Sequence, residues 1–221
     1  MRKLALLLTL VPLIVTGCHI HGNNVSGSGK RALQKRDVAS FNSISTQGAF
    51  DIELVCQKPV SLEIEGDDNI LPLITTDVSN NVLYIKSVQG YSVREPITLR
   101  ISVPNLEAAT VSGAGKINIS GIKNDKFELD SSGAPTIKVS GDTKVVDIDT
   151  SGAAKIDTHK LHASQAVVDS KGVSRVDLAV SDTLNVTISG PSKVTYEGDP
   201  VVNKTVHGPG SVDKKATTEG A

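Results

Sequence analysis

The stretch Ser112-Gly113-Ala114-Gly115-Lys116-Ile117-Asn118-Ile119-Ser120-Gly121 returns, altered but in step, through the second half of the chain. Taking Gly113 as a marker, equivalent glycines stand at Gly133, Gly152, Gly172, Gly190 and Gly208, at spacings of 20, 19, 20, 18 and 18 residues. Four residues after each comes a β-branched residue: Ile117, Ile137, Ile156, Val176, Val194 and Val212. Before the markers from Gly133 to Gly190 apolar residues again alternate, as in Val146 and Ile148 or Leu184, Val186 and Ile188. A period of two in β-branched residues is a strand signal and excludes helix. A regular return near 19 residues is the signature of a solenoid, in which each repeat buries its apolar face only against its neighbours. Each repeat therefore reads as strand, corner, strand. The six glycines are the structural corners, because glycine alone turns through positive φ without penalty. The fold class is all-β, a parallel β-solenoid with coils of about 18–20 residues.

Rival readings of the glycine-rich turns fail on spacing. A phosphate-binding loop needs GxxxxGK[ST] followed by a helix, and the calcium-binding nonapeptide needs GGxGxD. Neither occurs. A hexapeptide helix would show a six-residue rhythm, which coils of 18 to 20 residues with no such subdivision lack.

The first half, residues 37–105, shows the same scheme with insertions. Gly48 is followed by Ile52 and Leu54, and further alternating runs lie at residues 61–65, 82–86 and 97–103. Residues 67–74 suit a short helical turn capped by Asp67 or Asp68, and Asn80-Asn81 a tight turn. Phe41-x-x-Ile44, Gly48, Gly66-Asp67-Asp68-Asn69-Ile70-Leu71, Asn81-Val82-Leu83-Tyr84-Ile85 and the later repeats together resemble the bacterial head-GIN domain, a family labelled as an autotransporter adhesin and otherwise of unknown function. The resemblance spans about residues 38–213. It implies a parallel β-solenoid in an exported and often lipid-anchored protein, and it brings no catalytic residues with it.

The N-terminus reads as an export signal. Arg2 and Lys3 precede an apolar run over residues 4–15 that is too short to cross a membrane as a helix. The run ends in Val15-Thr16-Gly17-Cys18, which resembles the lipobox of bacterial lipoproteins and implies cleavage after residue 17 and lipidation, palmitate included, of Cys18. His19, in place of aspartate, implies sorting to the outer membrane, with the domain in the periplasm or at the surface. The expected organisation is a signal peptide over 1–17, a flexible tether over 18–36, one solenoid domain over 37–213 and a disordered tail over 214–221. His19 and His21 flank Ile20 beside the cysteine, a pair too few for a metal site. Cys56 alternates with Ile52 and Leu54 and reads as a small buried hydrophobe. With Cys18 lipidated, no disulfide is possible.

Function is less legible. A net charge of -1 and 3% aromatics offer neither the basic surface nor the stacking platforms of a nucleic-acid binder. No cofactor or metal is implied. Outward positions form two ladders. Lys116, Thr136, Lys155, Arg175 and Lys193 follow the corners by three residues, while Asp130, Asp149 and Asp169 precede them by three, with Glu128 and Asp147 behind. Lys116, Lys155, Arg175 and Lys193 form a candidate surface for an anionic polymer. Asp147 and Asp149 have a spacing compatible with glycoside hydrolysis, but coils this short have no loops from which to build a cleft. His159 and His162 read as exposed. The favoured function is a non-enzymatic structural or adhesin-like module of the cell envelope. A binding module for envelope polysaccharide is the alternative, and a carbohydrate-active enzyme the third reading. The membrane is the expected partner through the lipid, with self-association into a small oligomer made by residues 38–105 or by the coil sides. Pro191, Pro200 and Pro209 should close the C-terminal end to pairing.

Overall fold

The computed structural model describes residues 24–215; the signal, Cys18, His19, His21 and residues 216–221 lie outside them. The strands in chain order are β1 (Val25–Ser26), β2 (Arg31–Lys35), β3 (Ser43–Gly48), β4 (Phe50–Cys56), β5 (Ser61–Asp67), β6 (Ile74–Ser79), β7 (Val82–Ser87), β8 (Tyr91–Ser92), β9 (Ile97–Val103), β10 (Ala108–Gly113), β11 (Lys116–Gly133), β12 (Thr136–Gly152), β13 (Lys155–Gly172), β14 (Arg175–Ser189), β15 (Lys193–Glu197), β16 (Val201–His207) and β17 (Ser211–Lys214). From β10 onward every pairing is parallel, and the stack is a β-solenoid.

Residues one repeat apart stack on each other. Ile52, Ile117, Ile137, Ile156, Val176, Val194 and Val212 form one continuous inward column, and all are buried. Ile44, Ala109, Leu129, Ile148, Val168 and Val186 form another. Gly48, Gly113, Gly133, Gly152 and Gly172 are in register, each at a left-handed φ between 93° and 137°. The coils are more continuous than strand, corner, strand. β11 to β14 each run for 15 to 18 residues and bend within the strand, where the register shifts. Hydroxyls line the inside of the glycine corner: Thr150 Oγ1 and Ser174 Oγ lie 3.1 Å apart, and Ser170 Oγ donates to Ser192 Oγ at 2.8 Å. These inward hydroxyls satisfy one another where side chains are too small to close the corner with carbon.

The first half departs from a simple repeat. The β3–β4 layer lies inside the stack, with β10 and β11 on one side and β7 and β9 on the other. Beyond it the pairing turns antiparallel: β6 on β7, β5 on β9 and β2 on β5. Asn80 and Asn81, both at positive φ, make the two-residue turn between β6 and β7. β9 is paired on both edges, and its Leu99, Ile101 and Val103 are buried in the core.

Three expectations need correction. The segment expected as a tether is part of the domain from residue 24 onward. β1 pairs with β8, β2 pairs with β5, and Arg36 donates to the carbonyls of Leu71 (2.9 Å) and Ile74 (2.6 Å). Its polar composition concealed a segment held largely by hydrogen bonds, with only Val25 and Ala32 of residues 24–36 packed against the core. Within residues 67–74 a single 3₁₀ turn forms at Leu71–Leu73, and neither acid caps it. Asp67 and Asp68 instead accept hydrogen bonds from Gly29 N (2.9 Å) and Ser28 Oγ (2.7 Å). At the other end Lys214 belongs to β17, and Lys215 N donates to Tyr196 O, so the ordered chain reaches past the expected boundary at 213.

Candidate functional site

Parallel stacking turns sequence spacing into surface columns. Lys116, Thr136, Lys155, Arg175 and Lys193 pair in that order across five successive strands. Adjacent members are therefore separated by one strand spacing, about 4.8 Å. All but Thr136 are exposed. Lys193 lies 3.5 Å from Asp213. Among the described residues, Lys116, Lys155 and Arg175 have no ion-pair partner within 4 Å. Lys155 and Arg175 are direct neighbours, so two uncompensated cations share one patch of a rigid sheet. Such a pair attracts an anion and costs little to hold open, because the backbone sets its geometry.

The acidic ladder is treated differently. Asp130, Asp149 and Asp169 stack in register, as do Glu128 and Asp147. Two lysines lie among them: Lys126 pairs with Glu128 and with Asp147 (3.6 Å), and Lys171 lies 3.8 Å from Asp149 and 3.3 Å from Asp169. Lys171 stands where most repeats have serine, and its role explains that departure. Asp130 has no such partner among the described residues. Burial, and then the charges of Asp149, Glu128 and Asp147, push its carboxyl above the ordinary range. An acid raised in this way costs stability when ionised, and the cost vanishes as pH falls below the unfolded value. Asp130→Asn should therefore raise the melting temperature at pH 7. The gain should shrink on acidification and be gone about one unit below the unfolded carboxyl value of about 3.9. Thermal melts across that range check this; an equal gain at pH 3 and pH 7 would refute it.

A second feature arises from coil length. The coil from Gly152 to Gly172 has 20 residues and the next has 18. Thr158 pairs with Leu178, but the following matched pair is His162 with Ala179, so residues 159–161 have no counterpart in the shorter coil. At this step lies an open groove of about 610 Å³, lined by Asp142, His162, Ala163, Val180, Glu197 and Asp199 among others. Its floor is apolar, and its rim charges are largely paired. His162 lies 3.3 Å from Asp142, Glu197 contacts Lys215, and Asp199 contacts Lys214. On the adjacent side His159 bonds to Asp157. Burial alone would raise the Asp157 carboxyl, but hydrogen bonds from the His159 ring and backbone outweigh it, with the charges of His159 and Lys138 adding to them, and the net shift is downward. The reading of both histidines as exposed loop residues needs correction: both lie in β13, His162 is exposed but His159 is half-buried, and their carboxylate partners come from the fold.

Asp147 and Asp149 do not line the groove, and each is drawn to a lysine. Burial pushes the Cys56 thiol up to about 11, away from nucleophile chemistry. Among the described residues no group of three or more His, Cys, Asp or Glu is placed to hold a metal ion. No helix among them is long and apolar enough to cross a membrane.

Comparison with known proteins agrees with this architecture. The family model described as "Putative auto-transporter adhesin, head GIN domain" matches residues 40–138 and 125–200. A crystal structure of a putative adhesin from Bacteroides fragilis NCTC 9343 superposes with a TM-score of 0.70 at 20% identity, covering 87% of this chain and 100% of that one. One from Parabacteroides merdae ATCC 43184 gives 0.53 at 19% identity, covering 87% and 99%. A search of curated proteins gives no match. With its solenoid, its corner glycines and a family model spanning most of its length, the chain belongs to the head GIN domain family.

Proposed function

We propose that this chain is a lipid-anchored, non-enzymatic adhesion module of the bacterial envelope. Family membership supports the adhesin-like part of this reading, together with two related solved structures described as adhesins. The lipobox at Cys18 supports the anchor, with the outer membrane as its site and the domain in the periplasm or outside. A rigid surface without long loops suits holding a partner rather than transforming one.

One observation favours a more specific reading, the binding of an anionic envelope polysaccharide. Lys155 and Arg175 are adjacent, exposed and uncompensated in a column that Lys116 and Lys193 extend. A linear polyanion laid along the column meets cations at a repeating interval. A glycan array on the purified protein tests this, followed by a turnover assay on any hit. Acidic glycans should be retained and left uncleaved, with retention weakening as salt screens the charges. Lys155→Glu with Arg175→Glu should cut apparent affinity at least tenfold while leaving the circular dichroism spectrum intact. Unchanged affinity in that variant excludes the column, and cleavage of a bound glycan excludes the non-enzymatic reading.

A further inference from the structure

We infer that the antiparallel-capped end of the solenoid is the membrane-facing end of the molecule, seated on the lipid headgroups with the C-terminal coils pointing away. The inference rests on lipidation at Cys18 and adds to it a surface and an orientation.

The argument begins with how residues 24–36 are held. Val25 N donates to Gly90 O (2.9 Å) and Gly27 N to Ser92 O (2.8 Å). Asn69 Nδ2 donates to Ser26 O (2.8 Å), and Ser28 N donates to Asn69 Oδ1 (2.9 Å). Gly29 N, the pairing of β2 with β5, and Arg36 complete the strap. Gly27 fits so tightly that a Cβ there would stand 2.1 Å from Asp67 Oδ2. Every partner lies in residues 62–76 or 90–96, at the capped end. None of this segment is then available as leash. From Cys18 to Asn24 there are six Cα steps, at most about 21 Å however they are arranged. The stack from β7 to β16 rises by seven strand spacings, about 34 Å. A lipid on Cys18 therefore reaches the cap and not the far end.

The chemistry of the cap suits the same neighbour. Its outermost strand and turns carry Lys30 and Lys35, both about four-fifths exposed although each lies beside a carboxylate, Asp68 at 3.5 Å and Glu63 at 3.4 Å, and the apolar Leu33 and Val88, 54% and 62% exposed. Basic and apolar side chains interspersed on one surface are what an anionic headgroup layer takes up. The acidic ladder would repel such a layer if the molecule lay on that side. The basic column offers the competing posture, lying flat.

The test uses the full-length protein, processed in a bacterial host and reconstituted into vesicles of phosphatidylethanolamine and phosphatidylglycerol at 3:1 containing a lipid-borne quencher. A thiol-reactive fluorophore is placed in turn on Val88→Cys, Lys155→Cys and Val201→Cys; buried Cys56 stays unlabelled. Quenching on Val88→Cys should exceed that on the other two at least fivefold. Equal or stronger quenching on Lys155→Cys means the molecule lies flat, and on Val201→Cys that it is inverted; either overturns the inference while leaving the anchor in place. Mass spectrometry of the N-terminal peptide reads the anchor separately. An unacylated Cys18 removes the lipidation reading, and this inference with it.

Discussion

Gly133→Val should unfold the protein at markedly lower denaturant than wild type, at a cost of about 3–5 kcal/mol. Two effects combine. Gly133 has φ +93°, where a β-branched residue is strained by about 1–3 kcal/mol. The added Cβ would also stand 2.4 Å from the carbonyl oxygen of Gly113, backbone that cannot rotate away. That oxygen already accepts the hydrogen bond of Ala134 N at 2.9 Å, so relieving the clash sacrifices a bond between coils. Displacing Gly133 disturbs the next coil as well, because Gly133 O accepts from Ala153 N at 2.7 Å. Gly208→Val is the control. Its φ is +103°, but the nearest atoms to its Cβ are 3.8 Å away, so strain acts there almost alone. Guanidinium titrations followed by circular dichroism measure both. If Gly133→Val is no worse than Gly208→Val, crowding between coils is not what reserves these positions for glycine.

Replacing Lys204 by Val and Lys214 by Leu together should make the protein associate through its C-terminal end. Among the described residues β16 and β17 each have a paired neighbour on one side only, and such parallel edges invite another strand. Lys204 continues the inward column of Val168 and Val186, and Lys214 that of Leu178 and Tyr196. Both side chains are exposed. A second sheet edge docking here would have to bury the Lys204 ammonium, which has no ion-pair partner among the described residues, and take the Lys214–Asp199 pair out of water, which costs several kcal/mol. With both removed, Val202, Val206 and Val212 present an apolar end. The molar mass by light scattering should at least double relative to wild type at equal concentration. Pro200→Ala with Pro209→Ala should keep the wild-type mass, since those residues flank β16 rather than lie within it. If the prolines raise the mass and the lysines do not, the end is closed in the way the sequence first implied.

How much was legible follows from what kind of interaction holds each part. The repeat was, because a parallel stack forces each residue onto its equivalent one coil away, and Ile117, Ile137 and Ile156 could be aligned by eye. The corners were, because Gly133 and Gly152 occupy backbone conformations that other residues avoid. The charged columns followed from the same register. The residue 24–36 strap was not, because its contacts are hydrogen bonds to Asp67, Asp68 and Asn69, more than 35 positions away, and carry no local period. The groove was half visible. The drop from 20 to 18 residues stood in the spacings, but which residues would be left without counterparts depended on where the longer coil bulges, at 159–161. The order of layers in the first half was hidden for a related reason. Strand pattern identifies β3, β7 and β10, but not that β3 lies between the other two.

That order bears on how the chain assembles. As synthesis proceeds from the N-terminus, the earliest parallel layer, β3 with β4, emerges with both edges bare. Residues 82–103 pair on one side of it and residues 108–120 on the other, so growth is expected to start in the interior of the stack and to run both ways. From β11 onward growth is one-directional. Each new coil closes a loop of only 18 to 20 residues onto a template already in place, a small entropic step taken repeatedly. The slow events should therefore belong to the first hundred residues, where β2 must find β5 and β4 must find β9 across about 30 to 47 positions, farther than the one-coil closures that follow.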